Sequence, residues 1–432
     1  MEIISQFFAP ALVKVLTVFA ALLLLNRKLP LYSCLVFTSV ALGLWMNMDI
    51  PSIARVMAVE ALAPPTLILA LVITLIVVFS GMLKLCGRLD SIVASLRALS
   101  SRASVSLAMA PALIGLLPMP GGAVFSAPMV ESALGGVRIK PELKLVINYW
   151  FRHVPEFVWP LYPGFILSLT IFGLEAWRLT MFQIPMSIGA VAAGLLFIIP
   201  SIPSHVDQTS GRTSGVYREF LREIMPITIV LALMFGLQGL AEAFLRVTGN
   251  LVPLSQHLSM TVALLVGIAY LKFSNQIRLA QIRSILFGSG IMPIVLTVFA
   301  IMGFKGVLEE SHTIGQIKAE LQAYSIPETF VIALLPLIAG MVTGIAVGFV
   351  GSSFPLVATL MPPDHNMMPY VVLAYGFGFM GMMLSPVHLC FLVTQEYFHT
   401  NALDSYRQFW KPSIFMLAWI VAVFLIYSEM LK

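Results

Sequence analysis

From Pro65 to Leu83 the chain runs without a single charged residue, and comparable apolar runs recur along its length. A helix of about 20 apolar residues crosses the hydrocarbon core of a bilayer, whereas a soluble domain has no means of burying so many such runs. Of 432 residues, 59% are hydrophobic and 10% charged, against about 25% charged in soluble domains. The charges cluster between the apolar runs, so disorder, coiled coil and nucleic-acid binding find no support. The chain reads as an all-α polytopic membrane protein. Cys34, Cys86 and Cys390 form no CxxC and read as packing residues.

Ten spans are predicted: Ile4–Leu25, Pro30–Met46, Pro65–Leu85, Leu145–Phe172, Met181–Pro200, Met225–Leu245, Val252–Leu271, Leu286–Phe304, Met368–Thr394 and Ile414–Met430. Glu2 precedes the first run and Arg27 and Lys28 follow it, which is the wrong flanking for a cleaved signal peptide. Two further stretches are too interrupted to cross. Ser106–Leu134 is broken by Pro118, Pro120, Gly121 and Gly122, and Pro327–Leu360 by Gly340, Gly344, Gly348 and Gly351. Both read as re-entrant hairpins. With both termini outside, 18 of the 25 basic residues, Arg152 among them, fall on cytoplasmic segments, the bias expected of an inner (cytoplasmic) membrane protein.

The halves resemble each other at nearly constant offset. Phe125–Val130 aligns with Ser352–Val357, matching Ser126 with Ser353 and Pro128 with Pro355. Trp159–Ser168 aligns with Ser385–Thr394, matching Pro160 with Pro386 and Tyr162 with His388. Each half thus reads as three spans, an amphipathic segment, a hairpin, a broken span and a last span. Five spans is an odd number, so the second unit is inverted. The amphipathic segments carry Leu89, Ile92, Val93, Leu96 and Leu99 in one half and Ile314, Ile317, Leu321 and Tyr324 in the other, at the spacing of helices lying in the interface. Inverted repeats with Gly/Pro-interrupted segments in corresponding positions point to a secondary transporter.

The runs LPMPGGAVFSAPMV (117–130), NYWFRHVPEFVWPLYPG (148–164) and GFGFMGMMLSPVHLC (376–390) followed by TQEYF resemble the integral-membrane family catalogued as domain of unknown function 401. That family is grouped with the ion transporter superfamily of gluconate permeases, divalent-anion:sodium symporters and sodium:proton antiporters. The resemblance implies a homodimer in which a mobile transport domain moves, elevator fashion, against a scaffold. Applied to this chain, it implies scaffold at 1–103 and 223–326, transport parts at 104–200 and 327–432, and a cytoplasmic linker at 201–222. The hairpins are then 104–135 and 327–360, and the broken spans 145–172 and 368–394. The Ser-Asn-Thr signature of sodium-coupled dicarboxylate members is replaced here by PMPGGA and GFVGSS.

Site candidates follow from the breaks. Gly121 and Gly122 form a tip where bare backbone approaches a solute, or a tight turn that simply needs glycine. Ser126, Ser352 and Ser353 lie beyond the two tips, with hydroxyls suited to sodium or a carboxylate or, more plainly, to their own backbone. Glu156 and His153 stand at the first break as ion-coupling candidates, because ionisable groups at membrane depth are costly. The plain alternative is a structural ion pair of Arg152, His153 and Glu156 at the cytoplasmic interface. Ser385 and His388 occupy the matching break, and Asp364 and His365 are weaker candidates. No HExxH, Walker or GxSxG motif is present, so no enzyme activity, metal or organic cofactor is expected. The expected ligand is a small organic anion, a carboxylate foremost, with H+ or Na+ as coupling ion. The alternative is a cation:proton antiporter exchanging through Glu156 and His153.

Overall fold

The computed structural model describes residues 10–26, 28–88, 91–92, 95, 103–116, 118, 122–134, 137–202, 216–248, 255–288, 290–311, 313–361 and 366–431. Every described element is helical. The first half comprises α1 (Ala11–Leu25), α2 (Leu31–Trp45), α3 (Ile50–Leu62), α4 (Pro64–Leu85), α5 (Ala103–Ile114), α6 (Ala123–Ala133), α7 (Pro141–His153), α8 (Pro163–Phe172) and α9 (Ala176–Phe197). The second comprises α10 (Val216–Thr248), α11 (Gln256–Ser274), α12 (Leu279–Leu286), α13 (Ile291–Glu310), α14 (Thr313–Ala323), α15 (Glu328–Thr343), α16 (Ala346–Leu360), α17 (Met368–Leu384), α18 (Leu389–Phe398) and α19 (Ala402–Met430).

Seven stretches of described helix are long and apolar enough to cross a membrane, and the chain is a multi-pass membrane protein. The ten expected spans differ from these in instructive ways. Within the described residues α1 and α2 have 15 residues each, a rise of about 22 Å that falls short of the hydrocarbon thickness. The first broken span consists of two short helices. Two segments expected as plain connections, 47–64 and 272–285, contain the short helices α3 and α12. Each is seated by an isoleucine against a glycine: a Cβ on Gly43 would lie 2.6 Å from Ile53 Cδ1, and one on Gly81 would lie 2.7 Å from Ile285 Cγ2. Helix α10 starts inside the expected linker. The first amphipathic segment falls largely outside the described residues. Its counterpart is α14, with Ile317 and Leu321 fully buried and Glu320 Oε1 accepting from the Ala11 amide at 2.7 Å.

Elements of one half pack on elements of the other in matched pairs. Helix α2 packs on α13 as α11 does on α4, α3 on α13 as α12 on α4, α8 on α16 as α18 on α6, and α7 on α19 as α17 on α9. The result is one group built from α1–α4 and α10–α13 and another from α5–α9 and α15–α19. In the second group α15 and α17 approach backbone to backbone. A Cβ on Gly340 would meet the Gly378 carbonyl and lie 2.6 Å from the Met382 nitrogen. Close approach of this kind is how helices associate in lipid, where dispersion rather than water exclusion drives contact.

The two breaks have identifiable causes. Pro155, Pro160 and Pro163 interrupt the chain after α7, and Pro386 interrupts it after α17, each lacking the N–H a continuing helix needs. Carbonyls released in this way are costly in an apolar interior unless they find donors. Here side chains supply them: Tyr149 Oη donates to the Met383 carbonyl at 2.9 Å, Tyr406 Oη to that of Leu384 at 3.1 Å, and Ser187 Oγ to that of Val154 at 2.8 Å.

Candidate functional site

The end of α7, the 3-10 turn Val154–Phe157 and the start of α18 place Tyr149, Arg152, His153, Glu156, His388 and Cys390 together, all buried. Arg152 Nη1 donates to Glu156 Oε1 at 2.8 Å and lies 3.3 Å from His153 Nε2. His153 Nε2 is 3.1 Å from His388 Nε2 and 3.9 Å from Glu156 Oε1. His153 Nδ1 is 2.6 Å from the Tyr149 carbonyl, and His388 Nδ1 is 2.6 Å from that of Gly344. Tyr149 packs edge-on against both imidazoles, with ring centroids 4.8 and 5.5 Å away.

Both hairpins touch this cluster through their turns. In the second, Gly344 ends α15 at φ +65°, where an L side chain is strained, and gives its carbonyl to His388. In the first, Tyr162 Oη donates to the Gly115 carbonyl at 2.7 Å. A Cβ on Gly115 would collide with the Arg152 carbonyl, and one on Gly122 would lie 2.8 Å from Arg152 Nη2. The guanidinium therefore rests on the bare backbone of the tip. Asn148, one turn before Arg152, donates to the Ala123 carbonyl at 3.0 Å and to Thr394 Oγ1 at 3.2 Å, while its Oδ1 is buried without a hydrogen-bond partner.

The expected site residues are distributed unevenly around this geometry. His153, Glu156 and His388 meet, and Ser385 joins them through Gly344, whose Cβ would lie 3.0 Å from Ser385 Oγ. Gly122 reaches the cluster through Arg152. Gly121, Asp364 and His365 lie outside the described residues. Ser126, Ser352 and Ser353 direct their hydroxyls to their own helices, at the carbonyls of Ala123, Gly348 and Phe349, and no described hydrogen bond ties them to the cluster. Arg152, assigned to the cytoplasmic side from sequence, is only 2% exposed. The ion pair with Glu156 exists, but inside the protein rather than at an interface. Cys390, read as packing, places Sγ within 4.8 Å of a ring nitrogen of each histidine.

Tyr149, Asn148, Tyr162 and Cys390 are not singled out as site residues by the sequence, and Arg152 enters it only as a member of a structural ion pair. For three of them a signal was available, since Asn148, Arg152 and Glu156 recur every four residues and share one helical face with Tyr149 and His153. A cavity of about 450 Å³ lies elsewhere, lined by Thr170, Gln238, Glu242, Gln256 and His257 among others, where α8 and α9 meet α10 and α11. The residues of the polar cluster are buried.

A family model described as protein of unknown function, DUF401, matches residues 9–427. The chain belongs to the DUF401 family. No curated protein matches it. Among solved structures this DUF401 chain is similar to that of the Alcanivorax borkumensis YdaH transporter, described as having an unusual topology. The TM-score is 0.58 at 14% identity, covering 83% of this chain and 85% of that one. At that identity the likeness is one of fold.

Proposed function

We propose that this DUF401 protein is a secondary active transporter of a small organic anion, a carboxylate foremost, coupled to H+ or Na+. The observation that carries the reading is the convergence of two interrupted helix pairs and two broken helices on one buried polar cluster, with Arg152 set against the bare backbone of Gly122. Broken backbone at membrane depth, offering helix ends and freed polar groups, is the usual setting of transporter substrate sites.

In this reading residues 1–103 and 223–326 form a scaffold, 104–200 and 327–432 a transport domain that moves by an elevator step, 201–222 a cytoplasmic linker, and the halves an inverted repeat. The protein works as a homodimer in the inner membrane with both termini outside. Gly121, Gly122, Ser126, Ser352, Ser353, Ser385 and His388 approach the solute, and Glu156 and His153 serve coupling. The direct pairing of Glu156 with Arg152 favours an anion over a bare cation, because the carboxylate's charge is already compensated.

Counterflow in proteoliposomes against monocarboxylates, dicarboxylates and sugar acids tests the proposal. Saturable uptake of one class is expected, and none under any imposed gradient overturns it. Cation-dependent proton movement without organic solute, lost in Glu156→Gln, would instead establish the antiporter.

A further inference from the structure

Two lone pairs converge inside the cluster. Each histidine holds its Nδ1 2.6 Å from a backbone carbonyl, that of Tyr149 for His153 and that of Gly344 for His388. A carbonyl oxygen only accepts, so in the neutral rings both hydrogens sit on Nδ1 and both Nε2 atoms are bare acceptors. The Nε2 atoms nevertheless stand 3.1 Å apart. Metal-ligating imidazoles are oriented in this same way, because a carbonyl on the far N–H fixes the tautomer and raises the basicity of the free nitrogen. A third donor is at hand in Cys390, whose Sγ lies within 4.8 Å of a ring nitrogen of each histidine. Sequence spacing conceals the set, since the two histidines are 235 residues apart and come from opposite breaks.

The gap between the nitrogens suits a shared ion. With bonds of about 2.0 Å, the length of zinc–imidazole bonds, the present separation makes an angle of about 100° at the ion, and trigonal geometry asks for about 0.4 Å more. Donor type narrows the metal, since thiolate selects copper(I) or zinc and imidazole suits both elements. Charge decides between them. His153, His388 and Cys390 are 1, 6 and 5% exposed, where an uncompensated charge is strongly disfavoured. Arg152 and Glu156 already compensate each other at 2.8 Å. When copper(I) binds Cys390, the copper–sulfur bond forms as the thiol loses its proton to solvent. One positive charge replaces another, and the cluster keeps its net charge. Zinc in the same place adds a positive charge and calls for a fourth ligand. Arg152 Nη1, 3.3 Å from His153 Nε2, competes for that lone pair, but its shorter bond to Glu156 holds the guanidinium once the metal takes the nitrogen.

We infer that His153, His388 and Cys390 form a three-coordinate copper(I) site that ties the two breaks together, with one ligand from the first half of the chain and two from the second. Tyr149 packs edge-on against both imidazoles, and the ring of Phe379 lies 6.5 Å from that of His153. An aromatic shell of this kind limits the access of water to the metal. The site stands on this geometry and not on the transporter reading. Where both hold, a metal-bound His153 has no lone pair with which to carry a proton, and coupling rests with Glu156.

The test uses the full chain, purified in detergent from cells grown with added copper. Elemental analysis should find one copper per chain, and X-ray absorption should show copper(I) with two nitrogens and one sulfur. Protein stripped of metal by a chelator is then titrated with copper(I) under reducing conditions, in competition with a chromophoric copper(I) chelator. His153→Asn, His388→Asn and Cys390→Ser should each weaken binding by more than the about 10–100-fold of an outer-shell change, with folding checked by size exclusion. Cys34→Ser and Cys86→Ser should leave binding unchanged. Protein that takes up no copper, copper without sulfur among its ligands, or full affinity in Cys390→Ser overturns the inference, as does one zinc per chain in place of copper. The absorption spectrum of the unaltered protein decides the matter even where a variant fails to fold. One copper per chain with no uptake of any anion would refute only the transporter reading, whereas saturable uptake by a protein that binds no copper would refute only the metal site.

Discussion

Replacing either partner of the Arg152–Glu156 pair should destabilise the protein far more than an ion pair usually does. The nitrogen and oxygen are 2.8 Å apart, with side chains 2% and 7% exposed, so water screens neither. For charge centres about 4 Å apart at an effective dielectric constant near 20, the attraction is about 4 kcal/mol. Removing one partner also leaves the other charge buried and uncompensated, at a cost of about 3–5 kcal/mol. Arg152→Gln and Glu156→Gln should each lose that amount, and the double variant should lose well under their sum because no lone charge remains. Equilibrium unfolding in mixed micelles of sodium dodecyl sulfate and a non-ionic detergent, followed by tryptophan fluorescence, gives the four free energies of the cycle. The exposed Arg407–Asp404 pair, with side chains 81% and 47% exposed, serves as the comparison and should show almost no coupling. Additive losses at Arg152 and Glu156, or single losses below about 1 kcal/mol as at an exposed pair, would refute the reasoning.

Gly340→Ala drives a methyl into the Gly378 carbonyl and should cost several kcal/mol in the same unfolding assay. Gly236→Ala, with nothing within 4 Å, should be neutral or gain up to about 1 kcal/mol from helix propensity. Tyr162→Phe removes the donor to Gly115 and should cost about 1–3 kcal/mol, with faster hydrogen exchange confined to the α5–α6 pair. A cysteine pair at Thr170 and His257, whose side chains touch at 3.0 Å across the two helical groups, should arrest counterflow when bridged by mercury. Transport that survives the bridge would refute an elevator step.

The helices were legible because their apolar runs outlast any soluble alternative, and the breaks because proline announces itself. Helices α3 and α12 were not, since segments too short to span and carrying a charge resemble connections until Ile53 and Ile285 find their glycines. Arg152 was assigned to the wrong environment for a specific reason. Sorting bases by neighbouring loops treats each as a free charge, whereas Glu156 one turn later allows this one to be buried. Cys390 looked inert because its neighbours in sequence are apolar, and its histidine partner on α7 comes from the other half of the chain. The hydroxyls beyond the hairpin tips carry two readings in sequence, solute contact or a bond to their own backbone, and in the structure Ser352 and Ser353 donate to the carbonyls of Gly348 and Phe349.

Each hairpin turn is latched to the neighbouring break by one side chain at the same place in its half, Tyr162 on Gly115 and His388 on Gly344. A phenol keeps one strength as donor throughout the neutral range, whereas an imidazole that gains a proton becomes a charge-assisted donor, roughly twice as strong. The two joints therefore match in position and differ in chemistry. An architecture of matched halves needs no difference in shape to acquire a preferred direction; one tyrosine exchanged for one histidine is sufficient to distinguish its two ends.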